Sequence, residues 1–120
     1  MGLISNVDDH LRNHGFLWLG KAGWSLSPAY DLNPVPTDLK ARVLTTNIDL
    51  EEGTCSLDLL LAASAYFALT LGEARAIVKD VASVTATWRV VAQEAGARPA
   101  EINRMSSAFE HDDLRRALAL

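Results

Sequence analysis

Asn6-Val7-Asp8-Asp9-His10-Leu11-Arg12-Asn13-His14-Gly15-Phe16, followed by Ser27-Pro28-Ala29-Tyr30-Asp31-Leu32-Asn33-Pro34, is the part of the chain from which the rest is read. It sets an aspartate, an asparagine five residues later and a second aspartate eighteen residues beyond that, all in polar loop contexts. Between them, Phe16-Leu17-Trp18-Leu19, Gly20-Lys21-Ala22-Gly23 and Trp24-Ser25-Leu26 read as strand, glycine-rich turn and strand. A hairpin there returns the chain to its starting point and brings Asp31 beside Asn13. Phosphoryl transfer needs such a set. One carboxylate orients the attacking hydroxyl and accepts its proton, while an amide oxygen and a second carboxylate hold magnesium against the nucleotide phosphates. Asp8, Asn13 and Asp31 fit those three roles. Magnesium suits them because it prefers hard oxygen ligands and takes only one or two protein carboxylates besides the phosphates.

The two segments resemble the catalytic loop and the metal-binding segment of the HipA-like serine/threonine kinases, the toxins of bacterial toxin-antitoxin pairs. The pattern in that family is Asp-x-His-x-Lys-Asn and then Pro-x-Tyr-Asp; here it is Asp8-x-His10-x-Arg12-Asn13 and then Pro28-x-Tyr30-Asp31. By the resemblance, Asp8 is similar to the catalytic aspartate, Asn13 to the amide ligand of magnesium and Asp31 to its carboxylate ligand. His10 and Arg12 support the catalytic loop. Arg12 stands where a lysine is common, which keeps the charge and changes the shape of the donor. The resemblance implies Mg2+ and ATP as cofactors of the complete protein and transfer of the γ-phosphate to a serine or threonine of a protein substrate such as glutamyl-tRNA synthetase. It also implies inhibition by a helix-turn-helix antitoxin partner.

A kinase of this type further needs a glycine-rich phosphate loop, a strand lysine and an adenine-holding hinge. None is found in these 120 residues, which suffice for one core but not for two lobes. The expectation is therefore one incomplete domain over residues 1–120, a HipA-like C-terminal domain without its N-terminal nucleotide-binding lobe, cut from a longer protein and inactive or nearly so by itself. The net charge of -4 disfavours direct binding to nucleic-acid phosphate. Long apolar runs are broken by polar residues, so no membrane span is expected and the cytoplasm is the default location. Cys55 is the one cysteine, which excludes an internal disulfide and reads as a buried or incidental thiol.

Residues 34–54 read as loop, with a short strand over 42–46, and the resemblance makes this region similar to an activation segment. From Ser56 the pattern is helical. Leu57, Leu60, Leu61, Ser64, Ala65 and Ala68 keep a helical spacing and, with Leu59, Tyr66 and Phe67, predict a helix at the centre of the core. Thr70 and Glu73 form a capping box that starts a second helix, whose stripe runs through Ile77, Val78, Val81, Val84, Trp88 and Val91 to an end near Gly96. Pro99 opens a third, with Ile102, Met105 and Phe109 inward. A break at His111-Asp112-Asp113 precedes a short last helix through Leu114 and Leu118.

The fold class expected is mainly α, a truncated protein-kinase-like C-terminal lobe in which a helical bundle packs beside a small β-hairpin near the N-terminus. Trp18, Trp24 and Trp88 are read as core. His10 and His14, four apart, have a spacing that serves zinc on a helix, but Gly15 and the strand after it argue against a helix; His10 is read as bracing the catalytic loop by hydrogen bonds. A different class of function is a non-catalytic interaction module that binds an antitoxin or a separately encoded kinase lobe, with self-association through the uncovered lobe interface. A third is a magnesium-dependent phosphatase or nuclease using Asp8 and Asp31, which needs more converging carboxylates than the spacing offers.

Overall fold

The computed structural model describes residues 2–120; it is mainly helical, with a two-stranded antiparallel hairpin near the N-terminus. The hairpin pairs β1 (Phe16–Trp18) with β2 (Trp24–Leu26) in the register Phe16↔Leu26, Leu17↔Ser25, Trp18↔Trp24. Gly20 and Gly23 at its tip have φ of 66° and 86°, which side chains rarely adopt, and this is why the turn carries glycines. The helices are α1 (Leu57–Ala62), α2 (Leu71–Thr85), α3 (Trp88–Glu94), α4 (Pro99–Phe109) and α5 (Asp112–Leu118).

The core is narrow. Leu57, Val78, Ala82, Leu114 and Ala117 form its buried cluster, where α1, α2 and α5 meet, and Leu3, Leu61 and Leu120 pack against it. On α2 the buried face is Ala74, Val78 and Ala82, a spacing of four. Ile77, Val81 and Val84 of the expected stripe are half or more exposed. The helix packs through its small residues because α5 approaches on that side. Ser5 and Asn6 are wholly buried. Ser5, at φ 51°, donates its hydroxyl to Ala108 O at 2.8 Å and accepts from Arg42 Nε. Arg42 also reaches Asp113 Oδ2 at 2.8 Å and Gly2 O at 2.9 Å, so one guanidinium ties the N-terminal segment, the long loop and α5.

Several expectations are corrected. The first helix is short: after Ala62 it tightens into a 3-10 turn over Ala63–Phe67 and ends at Ala68, φ 56°, which turns Tyr66 and Phe67 into solvent. The expected second helix is two, α2 and α3, broken at Ala86 and Thr87. There the hydroxyls of Ser83, Thr85 and Thr87 bond the carbonyls of Lys79, Val81 and Val84, a local competition that bends helices. Trp88, freed to turn, stacks on Phe109 with ring centres 4.4 Å apart. Trp18 and Trp24 are not core; they are 60% and 68% exposed and lean on one another at 5.3 Å, on a hairpin whose six strand residues are all exposed. The strand expected over 42–46 reduces to one bridge, Val43↔Thr54. Cys55 is buried, and burial pushes its thiol pKa up. Among the described residues no helix is long and apolar enough to cross a membrane.

Candidate functional site

Asn13 and Asp31, eighteen residues apart, meet. Asn13 Nδ2 donates to Asp31 Oδ2 at 2.7 Å. The hairpin is the cause: its ladder continues one step past β1 and β2 through Ser27 N–H to Gly15 O at 2.8 Å, which carries the chain back to the loop it left. Gly15 suits that closure, since a Cβ there would stand 3.2 Å from Ser27 Oγ. Tyr30 then donates its hydroxyl to Arg12 O at 2.7 Å and pins the residue before Asp31 to the residue before Asn13.

Asp31 itself sits at φ 56°, a left-handed position that aspartate tolerates better than most side chains. Its second oxygen, Oδ1, accepts from Asn33 Nδ2 at 2.6 Å. Asn33 N–H in turn donates to Oδ1 of the buried Asn6, and Val35 N–H to Ser5 O. The Asp31 half of the site is thus fastened to the buried segment from which the Asp8 loop departs.

Asn13 ends a 3-10 turn over Leu11–Asn13, and its Oδ1 accepts the backbone N–H of His10 at 3.0 Å. Asp8 is exposed, with no side-chain hydrogen bond or ion pair among the described residues. The backbone around it is fixed: Val7 O accepts from Thr45 N and Oγ1, and Asp9 O from Thr46 N and Oγ1, all within 3.1 Å. Arg12 is exposed. The ring of His10 is half-buried and its Nδ1 has no hydrogen-bond partner among the described residues. What braces the loop instead is the turn's own backbone, Asn13, and a contact of His14 Nε2 with the buried carboxylate of Asp9 at 3.1 Å.

The donor set is hard oxygen. Asn13 Oδ1 and each oxygen of Asp31 accept one bond and keep a further lone pair. Among the described residues no group of three or more His, Cys, Asp or Glu side chains is placed to hold a metal ion. One amide and one or two carboxylates fit a cation that draws its other ligands from water and phosphate, as magnesium does. The apolar clefts lie elsewhere. One of about 360 Å³ opens between Leu44, Ile48, Leu60, Ile77 and Val81, and one of about 480 Å³ between α2, α3 and α4.

Sequence reasoning placed Tyr30 in the second motif without giving it a role, and missed Asn6, Asn33 and the two threonines as parts of the site. Of the missed residues Asn33 left a signal, because an Asx side chain two residues from another is a common turn partner. The family model for the HipA-like C-terminal domain matches residues 1–88, which spans both motifs, the hairpin, α1 and α2. No curated protein and no solved structure matches the chain.

Proposed function

The chain belongs to the HipA-like C-terminal domain family, and from that premise we propose that it is the catalytic segment of a serine/threonine protein kinase. The observation that carries the reading is the 2.7 Å contact of Asn13 with Asp31, which joins an amide and a carboxylate across an intervening hairpin. In this reading Asn13 Oδ1 and Asp31 would hold magnesium, which when bound would supply neutralising charge to the nucleotide phosphates. Asp8, exposed and without a side-chain partner among the described residues, orients the hydroxyl of the protein substrate and takes its proton. The hydroxyl oxygen then forms its bond to the γ-phosphorus as the bond to the β,γ-bridging oxygen breaks and ADP leaves. Arg12 lies on the same loop with its guanidinium in solvent, where it can meet a phosphate oxygen.

By family, the protein substrate is a translation component such as glutamyl-tRNA synthetase, the inhibitor is a helix-turn-helix antitoxin and the setting is the cytoplasm. Residues 1–120 contain no phosphate loop or strand lysine, and positioning supplies much of phosphoryl-transfer catalysis, so turnover by this chain alone should be very slow. The test is calorimetric titration with magnesium and ATP. Saturable, magnesium-dependent binding is expected, and it should be lost in Asp31→Ala and in Asp31→Asn. The asparagine variant keeps a residue that tolerates the left-handed turn, so its loss isolates the charge. Binding that survives both changes would remove Asp31 from the site.

A second reading is favoured by the bare hairpin. An interaction module that docks an antitoxin or a separate kinase lobe through Phe16, Trp18 and Trp24 would account for the exposure of these residues.

A further inference from the structure

We propose that the Asp9 carboxylate and the His14 imidazole form a clasp that positions Asp8 and Asn13 relative to one another. The inference deepens the phosphoryl-transfer reading and rests on it for its purpose, though not for its geometry. Asp9 is 6% exposed, and His14 Nε2 lies 3.1 and 3.3 Å from its two oxygens. A carboxylate so deep is costly unless paired, so the imidazole is the partner that permits it there.

The clasp joins two things that are otherwise fixed separately. On one side, the carbonyls of Val7 and Asp9 are bonded by Thr45 and Thr46, which holds the backbone before and after Asp8 while its carboxylate projects outward. On the other, Asn13 N–H donates to His10 O at 2.8 Å and His14 N–H to Leu11 O at 3.3 Å, which closes a turn over residues 10–14. That turn presents the Asn13 amide to Asp31. The backbone bonds of the turn all lie within it, and none reaches back to Asp9. The side-chain contact from His14 to Asp9 spans it from outside, and so ties the mount of Asp8 to the mount of Asn13. Neither clasp residue touches a proposed ligand. They are positioning residues.

The experiment compares the unaltered chain with His14→Phe, which removes the donor, and His14→Gln, whose side-chain amide can still donate to Asp9. His14→Ala replaces the phenylalanine variant if the ring prevents folding. Two readouts are taken: hydrogen exchange of the Asn13 and Thr46 backbone amides by NMR, and magnesium affinity in the presence of ATP by calorimetry. The clasp predicts exchange about tenfold faster at both amides and magnesium affinity about tenfold weaker in the donor-less variant, with both restored in His14→Gln, in line with the usual cost of removing a residue that orients a metal ligand. Unchanged exchange in His14→Phe, or loss in His14→Gln equal to that in His14→Phe, overturns the clasp. Failure of the unaltered chain to bind ATP counts against the kinase reading instead, and the exchange comparison still decides the clasp.

Discussion

At His111 one imidazole does two structural jobs. Its Nδ1 accepts Leu114 N–H at 3.3 Å and so caps α5, while its Nε2 lies 3.1 Å from Leu3 O, an acceptor. Both bonds together require the neutral ring, because a protonated Nδ1 has no lone pair to offer. Burial, and next the nearby Arg42 guanidinium, push its pKa below the ordinary 6.5. The sign follows. The unfolded chain binds the proton more readily than the folded one, so the contribution is whole above about pH 6.5 and fades as pH falls below that value. We expect the urea midpoint of the native chain to drop between about pH 7 and pH 5 more steeply than that of His111→Asn, which keeps a capping acceptor that does not titrate. Coincident slopes for the two proteins would show that the ring's charge state is not what holds α5. The site residues divide in the same way between legible and hidden. The meeting of Asn13 with Asp31 could be read from the sequence, because the glycine-rich turn between two short apolar runs announces the hairpin that joins them. The pairing of His14 with Asp9 could not, because their meeting depends on how tightly the turn between them closes.

At the scale of elements, ends were legible and middles were not. Thr70 and Glu73 cap α2 as their spacing dictates: Thr70 Oγ1 accepts Glu73 N–H, and the Glu73 carboxylate accepts Thr70 N–H at 2.8 Å. Gly96, φ 89°, ends α3 with the paired bonds Ala97 N–H to Ala92 O and Gly96 N–H to Gln93 O, and Pro99 begins α4. Such signals act over three or four residues and carry their own physics. The break between α2 and α3 has no glycine or proline and keeps the apolar rhythm; its one local mark is the run Ser83, Thr85 and Thr87, whose hydroxyls compete for the helix carbonyls, and the turn there lets Trp88 stack on Phe109. Likewise, periodicity marked Ile77 and Val81 as inward, whereas α5 approaches the alanine side of α2. The cap should be separable from that packing. Thr70→Ala is expected to lower unfolding free energy by about 1 kcal/mol and Thr70→Ser by only a few tenths, measured by urea denaturation. Equal losses would mean that the methyl group, not the hydroxyl bond, is what α2 needs at its start.

For the whole molecule, surface decides the argument. The chain exposes 7924 Å², against about 6,300 Å² for a compact monomer of its mass. Its radius of gyration is 15.4 Å, where about 14 Å is usual for this length. Part of the exposed apolar surface is gathered on the hairpin. Phe16, Leu17, Trp18, Trp24 and Leu26 are each about half exposed or more, on both faces of a hairpin that stands clear of the helices. An isolated two-stranded hairpin is marginal in water, and apolar surface of this extent seldom stays solvated. The hairpin persists here because its base is fastened at Gly15, Ser27 and Tyr30 beside the Asn13 and Asp31 contact. The same geometry that assembles the candidate site therefore leaves its most apolar element uncovered. We expect the chain to self-associate, with a weight-average sedimentation coefficient that rises with concentration, and the double variant Trp18→Ser, Trp24→Ser to remain monomeric at the same loading. The variant's fold can be checked independently through the Trp88 stack on Phe109, which lies outside the hairpin. A native chain that stays monomeric across the series would mean that the two tryptophans shield one another well enough, at 5.3 Å, for the bare hairpin to be tolerated.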